Sequence, residues 1–319
     1  MAMNFLIKCF FKKKTCFLSI YCLGEYFRSG RKKNMKITFI GVGDMGSHMV
    51  PHLAKAGYDV TVWDKVPAKM AAVVGDHVRT ATSLEDAVTA SKVIITSVMS
   101  DDVPALHIGT TETPGIVHYL QTGSTLIVTS TLDPRKITAI QAVMPTKTHL
   151  LDVPMIGGVK YAREAGLVLI AAGDKQAVAD VTPILKTFGT VKYVGEQGNG
   201  AKLKLITNVA IMAAEAGIRE TLDLADAYDI DYQTTLDLLQ MGPLKPVVIR
   251  ALDESNPRPL KDSVADEVEL DNATKDFVDL PIASAAMRRL QKAVDSVAGE
   301  AQFIDITNKN TALPEASKK

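Results

Sequence analysis

A glycine-rich loop that directly follows the first apolar run constrains this chain more than any other feature. Residues 39–46 read FIGVGDMG, which places Gly41, Gly43 and Gly46 at the spacing G-x-G-x-x-G between a strand and a helix. At this spacing the first glycine permits a tight turn, the second lets the backbone approach a pyrophosphate, and the third lets helix and strand pack closely. The loop therefore predicts a βαβ unit that binds a dinucleotide.

The rest of the first half continues the alternation of strand and helix. Apolar, β-branched runs predict strands at 36–40, 59–63, 93–96, 125–129 and 150–153. Helices are predicted between them, the first ending at Gly57 and another beginning at a capping box that starts with Ser83. Strands separated by helices of this length form a parallel sheet with right-handed crossovers. The predicted fold class is α/β, with a doubly wound parallel sheet of the Rossmann type.

The second half has no strand signal and is predicted to be all-helical. Residues 199–228 show helical periodicity with no breaker before the turn at 229–231, and a further helix is expected after Pro281. We therefore predict a Rossmann domain over 35–197, a helical C-terminal domain over 198–307 and a disordered tail over 308–319.

Residues 1–34 differ from the rest in composition, with eight Lys or Arg, one acid and all three cysteines of the chain. A secretory signal is disfavoured because the apolar run at 17–23 is short and has no small-residue cleavage site. A mitochondrial presequence would be richer in Arg and Ser. We expect a spurious or dispensable extension upstream of Met35, with a targeting segment as the alternative.

Charge and cysteine content exclude several classes of function. The chain carries 36 basic and 36 acidic residues, of which 28 and 35 lie in 35–319, so no basic excess points to nucleic acid or to an anionic membrane. Residues 35–319 hold no cysteine, and the histidines show no metal-ligand spacing, so neither disulfides nor a metal is expected. We expect a cytoplasmic homo-oligomer whose partner is a small-molecule substrate.

A carboxylate at the end of the second predicted strand bears on the choice of cofactor. Asp64 lies 18 residues beyond Gly46, where it can accept hydrogen bonds from the adenosine ribose hydroxyls and would repel a 2′-phosphate. Lys65, next to it, would soften that repulsion. NAD is therefore the expected cofactor, with NADP as the alternative, and Asp44 and Met45 are expected to join the glycines at its binding loop.

Four segments, in order along the chain, match the motifs of one family. They are the glycine loop with Met45, STLDP at 130–134, DVPMIGG at 152–158 and GEQGNGAKLKLITN at 195–208. Over about residues 36–300 the chain is similar to the 3-hydroxyisobutyrate dehydrogenase (β-hydroxyacid dehydrogenase) family. The resemblance implies a Rossmann domain, a helical domain like that of 6-phosphogluconate dehydrogenase, and a cleft between them. It also implies NAD(P)-dependent interconversion of a short 3-hydroxy acid and its semialdehyde or keto form.

The resemblance also assigns roles to particular residues. The family's catalytic lysine falls on Lys204 and its supporting asparagine on Asn208, with Met99, Ser100 and Thr131 near the cofactor. Lys204 and Asn208 are four residues apart, so they project from one face of the predicted long helix. Hydride transfer from an alcohol requires removal of the hydroxyl proton, and a desolvated lysine with a lowered pKa can accept that proton and return it.

The chain departs from the family pattern at three positions. The family serine beside the substrate carboxylate is Ile156, the first asparagine of the N-N pair is Thr207, and a lysine that closes over the cofactor aligns on Asp266. Gly157 and Gly158 keep their backbone N–H donors. We therefore predict Ile156, Gly157 and Gly158 at the substrate, weak activity on 3-hydroxyisobutyrate, and a gain in activity from Ile156→Ser.

Several alternatives stay open from the sequence. Lys202 is the rival of Lys204 as acid/base, although it lies six residues from Asn208 and points to a different side of the helix. An imine-reductase-like enzyme is a second alternative, but that subgroup usually lacks the lysine found at 204. A non-catalytic NAD(P)-binding relative is a third, since Ile156 and Asp266 replace family anchors. This chain is too short for the helical domain of 6-phosphogluconate dehydrogenase itself.

Overall fold

The structure is a computed structural model that describes residues 35–313. The predicted extension at 1–34 and the last part of the predicted tail, 314–319, lie outside the described residues. The first half is built on a parallel sheet, and the second half is helical.

The parallel sheet has six strands, of which all but Val78–Thr80, at one edge, are largely buried. They are β1 (Lys36–Ile40), β2 (Asp59–Trp63), β3 (Val78–Thr80), β4 (Val93–Thr96), β5 (Thr125–Val128) and β6 (His149–Asp152). Their order in the sheet is β3-β2-β1-β4-β5-β6, and every neighbouring pair is parallel. Apolar runs of this kind suit a sheet covered by helices on both sides. This strand order is that of the Rossmann fold, and the predicted fold class is confirmed.

Helices connect the strands and then form the second half alone. The helices of the first half are α1 (Gly46–Lys55), α2 (Pro67–Ala71), α3 (Leu84–Thr89), α4 (Val103–His107), α5 (Pro134–Ala142), α6 (Val159–Arg163) and α7 (Lys175–Leu185). Those of the second half are α8 (Asn199–Ala227), α9 (Tyr232–Met241), α10 (Lys245–Ala251), α11 (Leu260–Thr274) and α12 (Pro281–Ser296). In the described range, no helix combines the length and the hydropathy needed to cross a lipid bilayer.

A second sheet of three strands extends the first half, and the sequence did not predict it. It contains β7 (Met155–Ile156), β8 (Leu167–Ala171) and β9 (Gly189–Tyr193), with β7 antiparallel and β9 parallel to β8. A strand of two residues shows no periodicity, so β7 is defined only by its pairing with β8. The two sheets share a core, in which the rings of Phe39 and Phe188 meet edge-to-face with centroids 6.4 Å apart.

The long helix α8 begins at a carboxylate that terminates β6. Asp152 accepts hydrogen bonds from the backbone N–H of Gly198 at 3.0 Å and of Ala201 at 2.8 Å. A Cβ at Gly200 would lie only 2.7 Å from the same carboxylate, so glycine is required at that position. These bonds satisfy free N–H groups of the first turn. They also fix α8, and every side chain on it, relative to the parallel sheet.

Residues 308–313 differ from the disordered tail that the sequence predicts. They include a 3₁₀ turn at Lys309–Thr311, and Thr311 is buried. Arg289 donates to the carbonyl oxygen of Thr311 at 3.0 Å, and Arg219 donates to the carbonyl oxygen of Asn308. Buried guanidinium groups require acceptors, and this segment supplies them. Its polar composition hides that role in the sequence.

Candidate functional site

The three glycines of the loop between β1 and α1 meet different surroundings. Gly41 has a φ of +90°, and a Cβ there would overlap the carbonyl oxygen of Ser97. A Cβ at Gly46 would overlap the carbonyl oxygen of Gly41. Near Gly43, in contrast, the nearest such contact is Lys69 Nζ at 3.7 Å. Gly41 and Gly46 are thus needed for packing, whereas Gly43 leaves the backbone open to a ligand.

Asp64 holds the glycine loop from the end of β2. Its Oδ2 accepts a hydrogen bond from Val42 N at 2.9 Å, and its Oδ1 accepts one from Val66 N at 2.8 Å. These two bonds fix the orientation of the carboxylate beside the loop. Each oxygen keeps further acceptor capacity, so ribose hydroxyls can still donate to it.

Two lysines near Asp64 have different surroundings. Lys65 Nζ forms an ion pair with Asp102 at 2.8 Å, so its positive charge is balanced by this carboxylate. Lys69, in α2, has its ammonium beside Gly43, where a phosphate would approach the backbone. Lys69 carries no sequence signal of its own, because its reach depends on how α2 packs beside the loop.

The loop opens into a cleft of about 920 Å³, and a cavity of about 180 Å³ continues from it between the two halves. The predicted site residues that line the cleft are Gly41, Gly43, Asp44, Met45, Asp64 and Met99. Those that line the cavity are Asp44, Met45, Met99, Ser100, Thr131, Gly157, Gly158 and Lys204. Because Asp44, Met45 and Met99 line both, the residues predicted at the cofactor and at the substrate form one continuous site.

Lys204 lies on α8 and is half-buried where the cavity meets the helical half. Burial lowers the pKa of its ammonium below the usual 10.5. The carboxylate of Asp266 raises this pKa, whereas the guanidinium groups of Arg258 and Arg250 lower it further. A lowered pKa lets a lysine give up and regain a proton more readily near neutral pH.

Asn208 lies one turn after Lys204 but does not reach the cavity. Its side chain is buried, and its Nδ2 donates to Asp266 Oδ2 at 3.3 Å. The contact between Asn208 and the substrate oxygen stays a prediction, because here the amide is bonded to Asp266. This amide orients Asp266, and Asp266 does line the cavity.

Ile156 also differs from its predicted role. It lies in β7, where it pairs with Val168, and the cavity is lined by Met155 and Gly157 on either side of it. Successive side chains of a strand point to opposite faces, so Met155 reaches the cavity and Ile156 does not. The isoleucine is therefore not among the residues that line this cavity, and the effect of Ile156→Ser on activity stays a prediction.

Two charged residues of the cavity were missed by sequence reasoning. Arg258 and Asp262 line it together with Asp266, a position that the family resemblance marks only as a departure from the family pattern. The sole sequence signal for Arg258 is its place between Pro257 and Pro259, directly before α11. The segment is far along the chain from Lys204, and only the packing of α11 brings it to the site.

The cleft suits a dinucleotide better than a metal ion. Gly43 leaves backbone open, Asp64 offers acceptors, and the N-terminus of the ten-residue helix α1 faces the loop, which favours phosphate. Among residues 35–313, there is no group of three or more His, Cys, Asp or Glu that could hold a metal ion. The donor set is that of a nucleotide-binding site.

Comparison with known proteins agrees with this geometry. Residues 36–195 match the family model described as the NAD binding domain of 6-phosphogluconate dehydrogenase. Glyoxylate/succinic semialdehyde reductase 1 of Arabidopsis thaliana is 28% identical over 279 residues, which is 84% of this chain and 96% of the relative. The probable 3-hydroxyisobutyrate dehydrogenase-like 3, mitochondrial, of the same plant is 30% identical over 221 residues, 69% of either chain.

The fold is also that of a solved dehydrogenase. Mycobacterium tuberculosis 3-hydroxyisobutyrate dehydrogenase, solved with L-serine, superimposes with a TM-score of 0.71 at 20% identity, over 86% of this chain and 98% of the other. At 20% identity this likeness shows the fold alone. The family is shown by the family model and by the relatives above. The chain therefore belongs to the β-hydroxyacid dehydrogenase family of NAD(P)-dependent dehydrogenases and reductases that act on CH–OH groups.

Proposed function

We propose that this protein interconverts a short hydroxy acid and the corresponding aldehyde or keto acid, with Lys204 as the acid/base. The observation that carries the proposal is the position of Lys204. Its half-buried ammonium, with a lowered pKa, lines the cavity that continues from the nucleotide cleft. Hydride transfer to or from a hydroxyl carbon requires a proton donor and acceptor beside that carbon.

The proton steps follow from this position. When bound, NAD(P) supplies or accepts the hydride. In the oxidation, the neutral amine of Lys204 accepts the hydroxyl proton while the carbon loses its hydride, and the C–O bond becomes a carbonyl. In the reduction, the ammonium of Lys204 returns the proton to the carbonyl oxygen. Asp266, oriented by Asn208, stabilises the protonated form of Lys204 and so limits how far burial lowers its pKa.

The relatives suggest which substrates to test first. Their names contain glyoxylate, succinic semialdehyde and 3-hydroxyisobutyrate, all of which are small acids or are reduced to small hydroxy acids. A cavity of about 180 Å³ suits molecules of this size. Glyoxylate and succinic semialdehyde are therefore our first candidates for reduction, and 3-hydroxyisobutyrate for oxidation.

The test measures absorbance at 340 nm with each substrate for the unmodified protein and for Lys204→Ala. We expect turnover with at least one acid, and a loss in kcat of roughly 10²-fold or more in the variant, the usual scale for removal of an acid/base group. Affinity for NAD(P)H, measured by fluorescence, should stay unchanged.

Lys202→Ala is the matched control, because Lys202 is an exposed lysine two residues earlier on the same helix. We expect it to keep full activity. If Lys202→Ala loses activity and Lys204→Ala does not, the acid/base is Lys202 and the role proposed for Lys204 is wrong. Absence of turnover with every acid tested would contradict the proposed function as a whole.

We also propose that the protein is a homo-oligomer. The four most exposed large apolar side chains of the described residues all lie in the helical half: Met241, Phe277, Tyr228 and Ile282, at 82, 76, 71 and 68% exposure. Exposed apolar side chains that lie together in one patch mark protein–protein interaction sites, and we propose that these do so. Light scattering of the purified protein tests this, and a monomer at micromolar concentration would contradict it. Cytoplasmic location stays a prediction.

A further inference from the structure

We propose that Arg258 binds the anionic group of the substrate and restricts the enzyme to substrates that carry a carboxylate or a similar anion. The proposal rests on the proposed function, because it concerns the same cavity. It names a specificity residue that neither the glycine loop nor the lysine segment contains.

The cavity has two cationic side chains, and only Arg258 keeps its charge throughout the reaction. Lys204 must alternate between ammonium and amine if it carries the proton. It cannot at the same time be a constant counter-charge for a substrate carboxylate. A guanidinium stays protonated at any pH at which the enzyme works, and its planar N–H groups match a carboxylate.

The guanidinium of Arg258 is largely free to bind a ligand. In the part of the chain that the structure describes, it makes one side-chain hydrogen bond, to Asp266 Oδ2 at 3.3 Å. Strong charged pairs are shorter, about 2.7–2.9 Å. The same carboxylate oxygen also accepts from Asn208 Nδ2 at 3.3 Å, so Arg258 shares its only partner. The other N–H donors of the guanidinium remain available beside the cavity, where the side chain is 22% exposed.

The backbone of Arg258 is restricted by its neighbours in the chain and by a hydrogen bond. Pro257 and Pro259 restrict the chain on both sides, and the carbonyl oxygen of Arg258 accepts a hydrogen bond from Phe303 N at 2.7 Å. The nearby Asn256 packs closely against Gly158, since a Cβ added at Gly158 would lie 2.8 Å from Asn256 Oδ1. A rigid loop keeps the guanidinium in place before the substrate arrives, which reduces the entropy lost on binding.

The acidic residues of the cavity do not cancel this charge. Asp44 and Asp262 line the cleft as well as the cavity, so they lie at the shared opening, whereas Arg258 lines the cavity alone. Asp266 is the acid confined to the cavity, and its contact with Arg258 is long, at 3.3 Å. With Lys204 protonated, as the reduction requires, the inner cavity carries two positive charges and one negative charge, which favours an anion.

The test compares an anionic aldehyde, succinic semialdehyde, with butanal, an aldehyde of the same length that lacks the carboxylate. In Arg258→Met, we expect kcat/KM for succinic semialdehyde to fall about 10- to 100-fold, through KM, because a hydrogen bond between charged groups is lost. The value for butanal should stay within about two-fold of the unmodified enzyme. Arg258→Lys keeps the charge without the planar fork, so we expect an intermediate loss for the anion only.

Arg163→Met is the matched control. Arg163 donates to the carbonyl oxygen of Ser255 across the same interdomain contact at 2.8 Å, but it does not line the cavity. We expect the control to leave both aldehydes unaffected. If Arg258→Met lowers kcat/KM equally for both aldehydes, or for neither, then Arg258 has only a structural role and the proposal is overturned.

Binding of succinate, measured by calorimetry, separates this proposal from the proposed function. Succinate should bind the unmodified protein and lose about 10-fold or more of its affinity in Arg258→Met, whether or not turnover is found. Equal affinity in both proteins would overturn the role of Arg258 and leave the acid/base role of Lys204 untouched. If succinate binds as expected but no substrate is turned over, the proposed function is contradicted and the role of Arg258 in binding an anion is kept.

Discussion

The nucleotide cleft and the lysine cavity are built in different ways. The cleft is formed mainly by one βαβ unit, in which Gly41, Gly46 and Asp64 contact neighbours near them in the chain or on the next strands. The cavity combines the segment at 155–159, Lys204 on α8 and Arg258 before α11, each about 50 residues further along the chain than the one before it. The first region depends on backbone shape, and the second depends on charges brought together by packing. Substitutions should therefore affect the two regions in different ways.

The largest expected effect concerns the backbone of the cleft. In Gly46→Ala, the new Cβ overlaps the carbonyl oxygen of Gly41, so α1 or the loop must move. We expect a loss of about 1–3 kcal/mol in the free energy of unfolding, the usual cost of overpacking, together with a loss of NAD(P)H binding. Chemical denaturation and fluorescence titration measure the two effects.

Two other glycines sharpen this prediction. Gly43→Ala meets no protein atom closer than 3.7 Å, so it should keep its stability while still weakening NAD(P)H binding. Gly217→Ala, inside α8 with no atom within 4 Å of the new Cβ, is the control and should bind NAD(P)H normally. If Gly43→Ala and Gly46→Ala lose stability equally, then it is wrong that Gly46 is needed for packing and Gly43 for the approach of the ligand.

A second prediction concerns the charges packed behind the cavity. Glu267, on α11, is 1% exposed, and its Oε1 has no hydrogen-bond partner among residues 35–313. Burial, together with the nearby carboxylates of Asp266 and Glu215, raises the pKa of Glu267 from 4.5 to about 8. Between these two values the folded protein binds more protons than the unfolded chain. The free energy of unfolding should therefore fall as the pH rises from about 5 to 8, by an amount on the order of a few kcal/mol.

Glu267→Gln removes the titrating group, so its unfolding free energy should vary much less over the same pH range. Glu220→Gln is the control, because Glu220 is exposed on α8, and it should keep the pH dependence of the unmodified protein. Urea denaturation at both pH values provides the measurement. An unchanged slope in Glu267→Gln would show that this carboxyl does not titrate between them.

The smallest expected effect concerns the choice between NAD and NADP. Asp64 is fixed by two backbone hydrogen bonds and should favour NAD, since its carboxylate repels a 2′-phosphate. Asp64→Ala should reduce the ratio of kcat/KM for NADH over NADPH by about 10-fold, equivalent to about 1.4 kcal/mol. An unmodified enzyme that prefers NADPH would show that Lys69 or Lys65 outweighs Asp64.

Local motifs in this chain predicted local structure well. The strands at 36–40, 59–63 and 93–96 have the bounds that their apolar runs predict, and α8 covers almost all of 199–228. The capping box at Ser83 also forms in part, with Ser83 Oγ accepting from Asp86 N at 3.0 Å, although Asp86 reaches back to Thr82 N instead of Ser83 N. Each of these features depends on residues within a few positions of one another, so the sequence contains the information needed to predict it.

The lysine cavity was predicted less completely. Lys204, Gly157 and Gly158 line it as expected, but Ile156 faces away because β7 pairs with β8, and Asn208 contacts Asp266 instead of the cavity. A shift of one residue in a strand reverses the face on which a side chain lies. No pattern near Ile156 reveals a two-residue strand, so its orientation could not be predicted.

The sequence by itself determined the fold class, the nucleotide loop and the helix that carries Lys204, because glycine spacing and periodicity act over short distances along the chain. The tertiary structure alone decided which charges surround that lysine. Arg258 and Asp266 reach the cavity through the packing of α11 against α8 and the first half, and Asp152 fixes the start of α8 from the end of β6. Electrostatic interactions depend on distance in space and on burial, and neither can be read from the separation of residues in sequence.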